Sequence, residues 1–159
     1  MFAKYNGTLY SCAVNKREKN INIITRNPKK ADKDFKKEED AFYKGVSEDE
    51  LTDIFSVRLL VNFNTGLPNT PLHWLVAINE IKNGEVLLRF ADGILPGWNI
   101  EEKNVCIKYI DLNEIEDVKI VYFYKKRNGL VCSTPQRVEN RISKSEIIDV
   151  IEQYKITKV

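Results

Sequence analysis

The sequence predicts an α+β domain of mostly antiparallel strands, with a curled or half-barrel sheet of about six to eight strands. Short apolar or alternating runs follow one another along most of the chain, and turn residues separate them. A sustained helical period occurs only near the C-terminus. Because strands do not alternate with long helices, consecutive hairpins are favoured over a parallel sheet. The 159 residues are expected to form a single domain, 1–159.

The N-terminal region predicts a β-hairpin. Apolar runs from Tyr5 to Val14 and from Ile21 to Thr25 flank the polar stretch 15–20, which has the length of a hairpin loop. Lys16 and Lys19 lie in that stretch. The hairpin is therefore expected to carry an exposed, basic tip.

A short helix is expected near 48–55. Ser47 and Glu50 have the spacing of a capping box, in which each side chain bonds the other residue's backbone. The acidic residues between them also suit the N-terminus of a helix. The run 55–63 (FSVRLLVNF) then predicts an extended segment.

Two later hairpins are marked by Asn-Gly pairs, the strongest short hairpin signal. The runs 73–81 and 85–90 flank Asn83-Gly84, and the runs 118–124 and 130–132 flank a turn at 125–129 that contains Asn128-Gly129. The run 105–110 predicts a further strand between the two hairpins.

The C-terminal segment predicts an amphipathic helix near 144–155. Ser143 and Glu146 form a second capping box, and apolar residues then recur at helical spacing through Tyr154. This helix is expected to cover one face of the sheet.

Charge is distributed unevenly along the chain. Residues 1–37 carry a net +7, residues 38–54 a net −6, and the remainder +1. Such blocks can steer a charged partner, or they can neutralise each other across a solvated surface.

The residue types exclude several kinds of chemistry. His73 is the only histidine, so a site with two histidine ligands is impossible, and no nucleotide-binding or nucleophile-elbow motif is present. The three cysteines lack CxxC spacing, which argues against structural zinc and a disulfide framework. No metal or cofactor is expected, and neither is a signal peptide or a membrane span. The expected compartment is the cytoplasm.

One pattern is similar to that of the PD-(D/E)xK nucleases. Asp92, Glu101 and Lys103 have the order of the two carboxylates that hold a divalent ion and the lysine that orients water in that family. Ala91, however, stands where the family has a proline, and Glu101 is expected in a turn. A divergent metal-dependent nuclease therefore remains an alternative, beside the expectation that the protein is not an enzyme.

Aromatic residues suggest two kinds of surface. Trp98 follows a Pro-Gly turn and is expected either in the core or at the rim of a pocket. The segment Tyr122–Arg127 interleaves aromatic and basic residues, as a surface for single-stranded nucleic acid would. Together with the basic N-terminal hairpin, it supports a nucleic-acid-binding module as a second alternative.

In size, expected compartment and lack of catalytic motifs, the chain resembles the small bacterial immunity proteins that neutralise a cognate toxin, including those of contact-dependent inhibition systems. Its richness in Lys, Asn, Ile and Tyr also suggests a bacterial or mobile-element source. The resemblance implies a non-enzymatic inhibitor that binds a toxin domain directly. The expected contact residues are acidic side chains and aromatic anchors: Glu38, Glu39, Asp40, Tyr43, Glu48, Asp49, Glu50, Asp53 and Trp98.

Overall fold

The computed structural model describes residues 1–16, 18–62, 76–115 and 117–154, which contain twelve strands and one α-helix. The strands are β1 (Phe2–Tyr5), β2 (Thr8–Asn15), β3 (Asn20–Thr25), β4 (Lys36–Glu38), β5 (Ala41–Val46), β6 (Leu51–Asn62), β7 (Val76–Lys82), β8 (Glu85–Phe90), β9 (Asn99–Glu102), β10 (Val105–Asp111), β11 (Asp117–Arg127) and β12 (Leu130–Ile142). The helix α1 (Glu146–Tyr154) follows β12. The mostly antiparallel α+β class and the C-terminal helix are thus confirmed.

The number of strands, expected to be six to eight, was wrong. One tight turn lies inside a run that was predicted as continuous, and strands β4, β5 and β9 lie where no strand was predicted. Asn6 (φ 48°) and Gly7 (φ 76°) separate β1 from β2 within a run that looks continuous. Asn104 (φ 62°) helps to turn the chain between β9 and β10.

The chain divides into two compact units. Unit 1 comprises Met1–Val57 with Tyr122–Val138, and unit 2 comprises the described residues of Arg58–Val121 and Glu139–Val159. The strands β6, β11 and β12 contribute residues to both units. A single domain stays a prediction.

Unit 1 contains the strand order β4-β5-β3-β2-β1-β6. Successive registers place Phe2 opposite both Ser11 and Phe55, and Ile21 opposite both Val14 and Val46. Alternate residues of these strands face one apolar cluster: Ala3, Tyr10, Cys12, Ile21, Ile23, Val46, Leu51 and Ile54. The expected hairpin with its 15–20 turn is confirmed as β2 and β3.

Unit 2 contains the order β6-β7-β8-β10-β9, and α1 also belongs to it. Asn83 (φ 54°) and Gly84 (φ 82°) join β7 to β8, as the Asn-Gly signal predicts. The helix begins at its expected capping box, since Glu146 Oε2 accepts hydrogen bonds from the Ser143 backbone N–H (2.7 Å) and hydroxyl (2.6 Å). Strand β4 in unit 1 and strand β9 in unit 2 are outer strands, and no pairing of described residues closes either order. The expected curl of the sheet stays a prediction.

The expected helix near 48–55 is reduced to one 3₁₀ turn, Glu48–Glu50. Its capping box is present, since the Ser47 backbone N–H donates to Glu50 Oε2 at 2.8 Å. The chain becomes extended at Leu51 because that residue pairs with Tyr5 of β1 and is buried. Pairing and burial along β6 therefore override the local helix signal.

The last predicted hairpin is longer than expected. Asn128 (φ 50°) and Gly129 (φ 80°) alone form the turn between β11 and β12. The basic residues 125–127 that were expected in the turn continue β11 instead. A two-residue turn with both φ angles positive matches the right-handed twist of the paired strands, which explains the long hairpin.

Candidate functional site

The acidic block 38–53 does not form one patch. Glu38, Glu39 and Asp40 precede β5, whereas Glu48, Asp49 and Glu50 follow it. Between them lies an extended strand of six residues, so the two groups are roughly 20 Å apart along the chain direction. The seven carboxylates of this block thus divide between two locations of unit 1.

The group before β5 lies among basic side chains. Because Thr25 pairs with Phe42, the next residue, Arg26, comes close to the β4–β5 turn. Its Nε lies 2.9 Å from Asp40 Oδ2, with both side chains more than half exposed. Strand β4 itself carries Lys36 and Lys37. The Arg26–Asp40 ion pair is thus one contact between the basic and the acidic block at this turn.

The group after β5, together with Asp53, is called the acidic turn below. Glu48, Asp49 and Glu50 are all exposed. Glu50 also holds the turn through its bond to the Ser47 backbone, so its carboxylate has a structural task. Glu48 and Asp49 form no side-chain ion pair with any residue in the described ranges.

The tip of the β11–β12 hairpin is fastened to the acidic turn. Lys126 Nζ donates to the Glu48 carbonyl oxygen at 2.6 Å, and the Asn128 backbone N–H donates to Asp53 Oδ1 at 2.9 Å. The Gly129 backbone N–H donates to the Thr52 carbonyl oxygen at 2.8 Å. These bonds join two segments that the sequence presents as separate candidates, the acidic turn and Tyr122–Arg127.

An aromatic cluster adjoins this junction. The Phe55 ring lies 5.8 Å from the Tyr122 ring, 5.2 Å from the Tyr124 ring and 6.0 Å from the Phe2 ring. Tyr122 and Tyr124 share one face of β11, as the alternation predicts, with their centroids 6.0 Å apart. The Arg127 guanidinium lies 5.1 Å from the Tyr124 ring centroid.

The environment of Tyr124 combines burial with charge. Burial raises the pKa of its hydroxyl, and the nearby Asp53 carboxylate raises this pKa further, whereas Arg127 lowers it. Asp53 of the acidic turn and Arg127 therefore act in opposite directions on the pKa of Tyr124. The sequence did not predict that Phe55 belongs to this cluster, because β6 and β11 are far apart along the chain.

The three cations of the basic segment 125–127 differ in exposure. Lys126 is only 3% exposed, and its ammonium group is bound to the Glu48 carbonyl. Arg127 lies over Tyr124, whereas Lys125 is exposed. In the N-terminal hairpin, Lys16 and Lys19 are exposed, as expected of its tip.

The two expected aromatic anchors, Tyr43 and Trp98, belong to different units. Tyr43 is half-buried in β5, where it pairs with Ile24 on one side and Lys36 on the other. Trp98 belongs to unit 2 and is 8% exposed, which agrees with the core alternative for this residue.

Of the nuclease candidates, Glu101 contacts an arginine, whereas Asp92 and Lys103 lie at the surface. Glu101 was expected in a turn, but it lies in β9 because the turn that follows, at Lys103-Asn104, lets residues 99–102 pair with β10. Its Oε2 accepts a hydrogen bond from Arg89 Nε at 2.8 Å, which neutralises the carboxylate. Asp92 and Lys103 are exposed. Among the described residues, no three His, Cys, Asp or Glu side chains form a group that could hold a metal ion. His73 lies outside the described residues.

A cation site that sequence reasoning missed surrounds Lys44 in unit 1. Its Nζ lies 3.2 Å from Asp32 Oδ2, 3.4 Å from Asp34 Oδ2, and 5.1 Å and 5.7 Å from the ring centroids of Tyr5 and Phe35. Burial lowers the pKa of the Lys44 ammonium group, but hydrogen bonds with Tyr5, Asp32 and Asp34 outweigh it and raise this pKa. No local motif signals this site, because strand pairing assembles it.

Comparison with known proteins gives one similarity. Residues 1–66, about two fifths of the chain, match the model of a family described as "Uncharacterised conserved protein UCP033725". The matched stretch includes β1 to β6, and so the N-terminal part of unit 1. No curated protein and no solved structure matches the chain. In the described part of the chain, no helix is long and apolar enough to cross a membrane.

Proposed function

We propose that this chain is a non-enzymatic protein-binding domain that neutralises a cognate toxin by direct binding, and that it acts in the cytoplasm. Its contact surface is the acidic turn with the adjoining Tyr122 and Tyr124. The observation that carries the proposal is the set of three hydrogen bonds that fasten the hairpin tip to the acidic turn. They bring exposed carboxylates and partly exposed tyrosines together on one unit.

The chemistry of this surface suits a basic partner. Exposed carboxylates speed the association with a basic protein and select its orientation, whereas tyrosines are frequent anchors of interface energy. Because the turn is already held by its cap and by Lys126, little conformational entropy is lost when a partner docks. Toxins that act on nucleic acid commonly present a basic cleft, which makes them a fitting class of partner.

Some acidic residues of the turn hold the backbone and others are only exposed, so the test substitutes only the second kind. Glu50 and Asp53 hold backbone groups and stay unchanged. The test variant is Glu48→Lys with Asp49→Lys, and the matched control is Glu38→Lys with Glu39→Lys. Both pairs are exposed, and both substitutions change the charge by the same amount.

The partner is first isolated by affinity purification from the native source and identified by mass spectrometry. Stopped-flow association is then measured at low and high salt. We expect the 48/49 variant to associate about tenfold more slowly at low salt, and the 38/39 control less than about twofold more slowly. Equal rates for the two variants at an unchanged melting temperature would rule out the acidic turn as the contact.

Nucleic-acid binding is a second candidate, favoured by the shared face of Tyr122 and Tyr124 beside Arg127. In that case the affinity of the chain for a single-stranded oligonucleotide should fall steeply as the salt concentration rises. At a given salt concentration, Tyr124→Ala should bind more weakly than the wild type. Lys125→Ala should flatten the salt dependence, whereas Lys16→Ala tests the N-terminal hairpin. An affinity that ignores salt and all three substitutions would remove this candidate.

A further inference from the structure

The first part of β12 presents an open strand edge. Leu130–Thr134 belongs to unit 1, and in the described part of the chain β12 pairs only with β11. Four of these five residues are exposed and Cys132 is half-buried. The backbone N–H and C=O groups along the outer side of this segment are therefore open to another strand. The segment is called the open edge below.

The open edge lacks the protection that the other outer strands carry. Strand β4 consists of charged residues, and β9 contains two glutamates. Such charges discourage strand pairing between molecules. The open edge has no charged residue, and its Leu130 and Val131 are 74% and 68% exposed. Pro135, which has no N–H to donate, limits it to five residues.

We propose that the open edge pairs antiparallel with the same edge of a second copy of this chain, with Cys132 opposite Cys132. Two-fold symmetry is the usual arrangement of homodimers, and an antiparallel strand pair satisfies it about its central residue. Cys132 is the central residue of the segment. An uncharged edge also meets no like-charge repulsion from its own copy.

The arginines that flank this edge are engaged within their own chain, so they do not oppose the pairing. The Arg137 guanidinium lies 5.8 Å from the centroid of its own Phe123 ring, and the Arg127 guanidinium is directed over its own Tyr124 ring. Pairing of the two copies therefore rests on the uncharged, exposed edge and needs no charge pair between them.

The register makes a specific geometric prediction about Cys132. Directly opposed residues in an antiparallel pair have Cα atoms about 4.5 or 5.5 Å apart. Both separations lie within the range of about 4.4 to 6.8 Å that a disulfide bond requires. Cys12 and Cys106 are buried, with exposures of 6% and 0%, so Cys132 is the accessible thiol. A mild oxidant that takes two electrons and two protons from the paired thiols should therefore link two chains.

The test combines sedimentation analysis of the reduced chain with cross-linking by copper phenanthroline. We expect a concentration-dependent dimer whose two chains become covalently linked, and Cys132→Ser should abolish the link but keep the dimer. Val131→Lys should weaken the dimer about tenfold, because a two-fold interface contains each substitution twice. The matched control is Ile100→Lys, which changes an equally exposed residue (68%) on β9 and should leave the dimer unchanged.

Three outcomes would overturn the proposal. The first is a chain that stays monomeric and does not cross-link at high concentration. The second is a dimer that Ile100→Lys weakens and Val131→Lys does not. The third is cross-linking at the wild-type rate in Val131→Lys, which would indicate random collision. The toxin-binding test changes other residues, so either proposal can fail without the other.

Discussion

Lys44 and Lys126 each hold a peripheral segment of unit 1 in place, but their ammonium groups meet different partners. Lys44 contacts the Asp32 and Asp34 carboxylates and the faces of two aromatic rings. Lys126 is more deeply buried and donates to a neutral carbonyl oxygen, that of Glu48. Lys44 therefore stabilises a loop through charge, whereas Lys126 positions the acidic turn and leaves the Glu48 carboxylate exposed to a partner.

Lys126 should be the more important of the two for stability. Lys126→Ala removes both the buried hydrocarbon stem and the bond to the Glu48 carbonyl, and we expect a loss of about 2 to 3 kcal/mol. Lys126→Met retains the stem and should recover about half of this loss. The urea midpoint of each variant measures the effect, with the exposed Lys125→Ala as the control. A loss below about 0.5 kcal/mol for Lys126→Ala would show that the tip is held by the two backbone N–H donors alone.

Removal of Lys44 should cost less, because water can solvate the two carboxylates that it leaves. We expect Lys44→Met to lose about 1 to 2 kcal/mol, mostly from cation–π contacts and partly exposed ion pairs. The segment 28–35 should also become cleavable by trypsin, because Phe35 and Asp32 lose their common partner. The exposed Lys36→Met serves as the control. Unchanged cleavage would mean that the contacts of Tyr10 are sufficient, namely its stacking on Phe35 at 5.7 Å and its hydrogen bond to the Lys30 carbonyl oxygen at 2.9 Å.

The stability difference between wild type and Lys44→Met should depend on pH, because the pKa values of Asp32 and Lys44 are both shifted. Hydrogen bonds with the Asp34 N–H and Lys44 lower the pKa of Asp32 from its usual 3.8, so its contribution is lost as the pH falls below that value. The pKa of Lys44 is raised above its usual 10.5, so its contribution is lost as the pH rises beyond that value. The stability difference between wild type and Lys44→Met should be constant between these limits and shrink outside them.

Local sequence signals predicted much of the fold, but they could not predict the contacts of the candidate site. Asn83-Gly84 and Asn128-Gly129 mark their turns because asparagine and glycine tolerate positive φ. Ser47 correctly marks a turn, but the length predicted for the helix near 48–55 was wrong because Leu51 pairs with Tyr5 of β1. The bond between Lys126 and Glu48 joins residues 78 positions apart, and only strand pairing brings them together. The acidic turn was thus predictable as a sequence feature and its aromatic neighbours were not.

The smallest expected effect concerns the electrostatic link between the acidic turn and the aromatic cluster. Asp53→Asn keeps an acceptor for the Asn128 N–H and should cost no more than about 1 kcal/mol. It removes the negative charge that raises the pKa of Tyr124, so this pKa should fall. Burial remains, so the pKa should stay above its usual value of 10.0.

Arg127→Ala provides the opposite control, because loss of that cation should raise the pKa of Tyr124. The measurement is a tyrosinate absorbance titration, with the Tyr124→Phe titration subtracted to isolate this residue. If both substitutions shifted the pKa in the same direction, rearrangement of the hairpin tip would be the cause. Opposite shifts would show that Asp53 and Arg127 act on Tyr124 through charge. The acidic turn and the aromatic cluster would then be coupled through charge.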